Sequence, residues 1–254
     1  MLRFKHVAPI VVLLLVLNAV AAYAQDAALS DDQVQQRLAF IATSLQDGQP
    51  AARRWWYGWI GAYSAGAVGM GVVAATSWKK QPDVGMLAVL PVEVDNSTAQ
   101  DMLVGSGTFA LGVVGLVMDP FTPANAAKKL RAVPDGTPQE RLAKLRQAEE
   151  LLRKCAKREK SGRSLTTHLL NAGVNAAAGV VTVAAFDRPA TDGLVTFAIG
   201  EAVSLLNIFT QPMKAARDLK KYEAGAFAGA SSGRPETQWS LGFCPGGVTF
   251  RLSF

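Results

Sequence analysis

The strings TFALGVVGLVMDPFTPANAAKKL (108–130) and TFAIGEAVSLLNIFTQPMKAARDL (196–219) are nearly the same text, written twice 88 residues apart. Gly105, Thr108, Phe109, Ala110, Gly112, Phe121 and Thr122 recur as Gly193, Thr196, Phe197, Ala198, Gly200, Phe209 and Thr210. After one inserted residue, Pro123, Ala126, Ala127, Lys128, Leu130 and Arg131 match Pro212, Ala215, Ala216, Arg217, Leu219 and Lys220. Upstream, Gly71-Val72-Val73 matches Gly179-Val180-Val181, and Trp78 aligns with Phe186. The repeated unit therefore reads as an apolar helical hairpin followed by a Pro-started basic amphipathic segment. A single hairpin cannot bury its own apolar faces, whereas two paired hairpins can. The expectation is a mainly α chain in which a duplicated helical hairpin forms a four-helix apolar core.

Four apolar segments supply those helices. Residues 55–78 and 164–186 carry no charge, 102–118 lies between Asp101 and Asp119, and 193–209 is interrupted only by Glu201. Their lengths suit helices that cross a membrane or are buried on all sides. Small residues recur four apart, as in Ala62/Gly66, Ala65/Gly69, Ala67/Gly71, Ala172/Ala176 and Gly173/Ala177. That spacing lets helix backbones approach closely, in lipid or in a water-soluble bundle.

Around this core the chain divides further. Ser30, with Gln33 at the capping-box position, opens an amphipathic N-terminal helix, whose apolar face is Val34, Leu38, Ile41 and Leu45. Gly48 and Pro50 are expected to end it. Thr137-Pro138-Gln139-Glu140 starts a basic linker helix with a narrow stripe of Leu142, Leu145, Ala148, Leu152 and Cys155. The predicted divisions are 1–24 (leader), 25–54 (amphipathic helix), 55–131 (first hairpin unit), 132–163 (basic linker helix), 164–222 (second unit), 223–237 (flexible linker) and 238–254 (a short C-terminal β-hairpin).

Residues 1–24 read as a secretory signal. Arg3 and Lys5 precede an apolar run over 11–20, and Ala22-Tyr23-Ala24 is an A-x-A cleavage site before Gln25. If the leader is removed, four crossings would leave the linker 120–163, with its 12 Lys/Arg, outside. That inverts the usual bias of positive loops toward the cytoplasm. The expected address is an exported protein of a bacterial cell envelope, outer-membrane-associated or periplasmic. Charged residues are only 18% of the chain and the net charge is +6. Basic residues fall on helix faces without interleaved aromatics, so nucleic acid is not an expected partner. Membrane lipid is, together with a second copy of the chain or another envelope protein.

The tail changes period. Trp239, Leu241 and Phe243 alternate with small residues, and Val248, Phe250, Leu252 and Phe254 with polar ones, around Pro245-Gly246-Gly247. The last strand resembles the C-terminal strand of bacterial outer-membrane barrels. The resemblance covers about ten residues, and the chain departs from that family elsewhere, because a barrel needs at least eight strands and only two are legible.

Candidate chemistry is sparse. His168, Asn171 and Asn175 share one face of the third apolar segment, and Glu201 sits midway along the fourth. Ionisable groups inside apolar helices are costly and often functional. The cluster reads as a polar pathway or ion site, or as a hydrogen-bonded device fixing helix register. With one His beyond the leader there is no metal spacing and no Ser-His-Asp arrangement, and no phosphate-binding Gly-rich loop follows a strand. No catalytic residues and no cofactor are assigned, and the chain is expected not to be an enzyme. Cys155 and Cys244 permit a disulfide in an exported protein, or are two separate buried thiols. The expected role is structural or membrane-organising, with a channel or transport component as the alternative.

Overall fold

The computed structural model describes residues 29–79, 95–227, 238–244 and 247–253. The expected leader 1–24 and most of the linker 223–237 lie outside them. The described chain is mainly helical. Ser30 caps α1 (Asp31–Ser77): its hydroxyl accepts from the Gln33 amide, and the Gln33 side chain accepts from the Ser30 amide.

Gly48 and Pro50 do not end this helix, contrary to expectation; α1 runs on for 47 residues. Pro50 forfeits one backbone bond, but packing holds the helix on both sides of it. Ile41 and Leu45 are buried in one cluster, and Ala52 and Trp55 in another. Between them, Gln49 Nε2 donates to the Ala124 carbonyl at 3.1 Å. No structural break therefore exists at the boundary expected near residue 54.

Next come α2 (Ser97–Met118), a 3-10 turn at Thr122–Ala124, α3 (Ala126–Arg131) and α4 (Pro138–Ser161). Then follow α5 (Leu165–Ala184), α6 (Ala190–Thr210) and α7 (Lys214–Glu223). Helix α4 starts where the sequence places it, at a Thr137–Glu140 capping box with Pro138 in the first turn. After α7, Gly225 takes φ +75 and turns the chain away. At the C-terminal end, β1 (Gln238–Cys244) and β2 (Gly247–Ser253) pair antiparallel, Leu241 opposite Phe250. Their side chains and any docking on the helices lie outside what is described.

The helices sort into two regions. The N-terminal half of α1 packs with α3, α4 and α7 around Val34, Ile41, Leu130, Leu145, Leu152 and Leu219. We call this charged bundle the head. Arg141 ties it with a two-pronged pair to Asp31, Nε–Oδ1 2.8 Å and Nη2–Oδ2 2.7 Å. In the other region, the C-terminal half of α1 packs on α2, and α5 packs on α6. Glycines make the first hairpin close. A Cβ on Gly66 would meet the Phe109 ring at 2.1 Å, and one on Gly105 would meet Met70 Sδ at 2.6 Å.

These four helices do not close into the expected apolar core. The two hairpins touch chiefly through α2 and α5, and most of their large apolar side chains face outward. Val68, Leu111, Leu170, Leu194 and Ile199 are each 57–67% exposed. The larger buried cluster is in the head, where the basic linker helix is part of the core instead of resting on one. Among the described residues, three stretches are long and apolar enough to cross a membrane: Asp31–Ser77, Ser97–Met118 and Ala190–Glu223. Helix α5 is not among them, because His168, Asn171 and Asn175 lower its hydropathy.

Candidate functional site, the cleft between the hairpins

A cleft of about 710 Å³ runs between the two hairpins. One end is set at the hairpin tips. There Arg188 pairs with Asp192 (2.6 Å) and with Asp101 on the other hairpin (3.3 Å). These carboxylates hold the guanidinium pKa above its ordinary value.

The other end meets the head. Trp55 Nε1 donates to the Asn207 carbonyl at 3.1 Å, and its ring lies 4.8 Å from that of Phe121. Trp59 Nε1 reaches Thr210 Oγ1 at 3.1 Å. These bonds join the first hairpin to the second at the head end, as Arg188 and Asp101 do at the tips. Arg158, projected from the end of α4, lies over the Phe121 ring and donates Nη2 to the Asp119 carbonyl at 3.0 Å. Its Nε is 3.0 Å from Asp119 Oδ2 as an ion pair, yet is buried without a hydrogen bond. Asn207 Nδ2 is also buried and without a partner.

Two of the four expected polar residues meet. Asn175 Nδ2 donates to Glu201 Oε2 at 3.0 Å and to Ser204 Oγ at 3.1 Å. Gly200 permits this, since a Cβ there would lie 2.5 Å from Asn175 Oδ1. Asn171 lines the cleft. His168 stands apart, its ring 6.1 Å from that of Phe209. The bond from Asn175, which also reaches Ser204, gives the Glu201 carboxylate a register-fixing partner. It does not assemble a nucleophile, base and orienting group.

Sequence reasoning missed Arg158 and Asn207. Arg158 was hidden in a run of head charges, and Asn207 lies near the end of its apolar segment, where its repeat counterpart Asp119 reads as a segment boundary. Among the described residues no group of three His, Cys, Asp or Glu is placed to hold a metal ion. Cys155 is a free thiol, fully buried in the head; the side chain of Cys244 is outside the described residues.

No protein-family model matches this chain, and neither a curated protein nor a solved structure is found to be similar to it.

Proposed function

We propose that this is a non-enzymatic, membrane-organising protein of the cell envelope. Two hairpins, the products of an internal duplication, sit in the bilayer, and the basic head rests on its surface. The observation that carries the reading is the segregation of exposed side chains. Val68, Val72, Leu103, Leu111, Leu170 and Ile199 cover the hairpins, while Lys128, Lys129, Lys154, Lys157 and Lys160 belong to the head. A water-facing domain rarely leaves so large an apolar belt uncovered.

Aromatic residues support the same placement. Trp55, Trp56 and Trp59 lie where the hairpins meet the head, and Trp78 caps the far end of α1. At 1.5 Å per residue, Trp56 and Trp78 are roughly 33 Å apart, close to the thickness of the hydrocarbon layer. Trp at both interfaces is the usual anchor of a spanning helix. Helix α5 crosses as the polar-faced member, with Asn175 and Thr182 turned toward α6. Export and envelope location rest on the leader pattern at 1–24, and the C-terminal β-hairpin is proposed as a further envelope contact.

The test is fractionation of the envelope followed by carbonate washing. The chain should remain in the membrane pellet; release into the supernatant refutes the reading. A second reading, a transport component, is favoured by one observation: Asn175, Glu201 and Ser204 lie beside an open cleft. Ion flux through reconstituted vesicles that disappears in Glu201→Gln would favour it over the first.

A further inference from the structure

We propose that the cleft between the hairpins is a binding site for one glycerophospholipid molecule. Its acyl chain lies along Leu111, Leu170, Val174, Val195 and Ile199, and its phosphate and ester oxygens meet Arg158 and Asn207. The proposal rests on the membrane reading above.

Three observations point to this occupant. First, the cleft volume of about 710 Å³ is within the ~300–1,000 Å³ of small-molecule sites. Its walls include apolar side chains that no other described residue covers: Leu111, Leu170, Val195 and Ile199 are each more than half exposed. An open apolar groove within the hydrocarbon belt is filled by the molecule in greatest supply there, which is lipid.

Second, the charges at the tip end of the cleft are paired among Arg188, Asp101 and Asp192, whereas the head end offers a polar group still without a partner. That group is a buried donor without a hydrogen-bond partner, Asn207 Nδ2, beside Arg158, whose Nε is ion-paired to Asp119. A buried donor left unpaired is costly, so an acceptor brought by a ligand is gained without giving up an existing bond. Phosphate and ester oxygens are acceptors only. Asn207 also lies beside Trp55, at the level where the proposed placement puts lipid headgroups.

Third, the rim carries the complementary charge. Lys157, Lys160 and Ser164 line a shallow depression of about 410 Å³ on α4 and the start of α5. Lys157 and Lys160 are exposed. Arg163 is held next to it, donating to the carbonyls of Phe209 (2.8 Å) and Gln211 (2.7 Å). The carboxylate of Asp119 is already paired to Arg158. The balance favours an anionic headgroup over a zwitterionic one, and a free fatty acid would leave the rim unused.

The full chain, purified in mild detergent and exchanged into micelles doped with phosphatidylglycerol, phosphatidylcholine or palmitate, is examined by native mass spectrometry. The expected result is one retained phosphatidylglycerol, with phosphatidylcholine at least tenfold less and palmitate absent. Val203→Trp fills the cleft and should abolish retention. Asn207→Asp keeps the size of the side chain but turns its donor into an acceptor, and should cut retention at least tenfold with an unchanged circular dichroism melt. Leu194→Trp, on the outer face, should retain lipid as the parent does. Equal retention in the parent and Asn207→Asp, or no lipid retained by the parent, overturns the proposal. A chain found in the carbonate supernatant defeats the membrane reading itself; one that stays in the pellet but holds no lipid defeats only the cleft site.

Discussion

Gly179 and Gly193 face each other so closely that a Cβ on the first would lie 2.5 Å from the carbonyl oxygen of the second. A Cβ on Gly193 would lie 2.7 Å from the Gly179 oxygen and 2.6 Å from Val183 Cγ2. The atoms that would have to move are largely backbone, so α5 and α6 would separate. Gly179→Ala should therefore lower stability by about 1–3 kcal/mol, the usual range for overpacking. Gly173, on the same helix, has nothing within 4 Å of its would-be Cβ. Gly173→Ala should gain up to about 1 kcal/mol from helix propensity alone. Thermal unfolding in detergent measures both, and a Gly179→Ala protein as stable as Gly173→Ala would show that the helices are not in contact there.

The continuity of α1 through Gly48 and Pro50 has a direct consequence. A Cβ on Gly48 would touch Lys214 Cδ at 3.5 Å, an ordinary contact. Gly48→Ala should then stabilise the helix by about 1 kcal/mol. Pro50 is exposed, so Pro50→Ala can restore the missing bond to Gln46 without a clash, and should stabilise by up to about 3 kcal/mol. If α1 were two helices hinged at Pro50, the same substitution would be neutral or harmful. Melting temperatures of the two variants decide between them.

The continuity of α1 illustrates what was legible in the sequence and what was not. The capping boxes at Ser30 and Thr137 are local chemistry, and both helices start there. Gly48 and Pro50 are local signals too, but packing of Ile41 and Leu45 on one side and Ala52 and Trp55 on the other overrides them. Apolar periodicity located the helices without saying which apolar faces meet. It suggested a closed core, whereas much of that surface faces outward. The Asn175–Glu201 bond was legible because both residues break an apolar run. The Arg158–Asn207 end was not, since it depends on a charged residue of α4 and a polar residue of α6, far apart in sequence, lining the same cleft.

Cys155 tests the head in a different way. It is fully buried, and burial is the main reason its thiol is pushed up to about 12, with the nearby Glu159 adding to the effect. A thiol so protonated and covered should not react with a maleimide at neutral pH. In a Cys244→Ser chain, labelling should appear only after denaturant is added. Rapid labelling of the native chain would mean that the head bundle opens or is packed differently.

Glu159 gives the head a pH dependence. It is 1% exposed, and its carboxylate oxygens accept from the amides of Ala215 (3.2 Å) and Ala216 (2.8 Å), capping the start of α7. Desolvation raises its pKa from 4.5 to about 7, overcoming the opposite pull of those two amides, and Asp218 nearby adds to the rise. The folded chain thus holds this proton more tightly than the unfolded chain does. Its contribution to stability is fully present below about pH 4.5 and is lost as pH rises toward about 7, then stays level. A shift of this size corresponds to about 3 kcal/mol across the window. Glu159→Gln keeps one acceptor for the amides and cannot ionise, so it should flatten this slope. Stability measured by denaturant unfolding at pH 4.5, 6 and 8 should fall in the parent more than in Glu159→Gln. Parallel curves would mean that Glu159 ionises in the folded head as it does in water, and that α7 is held by apolar packing alone.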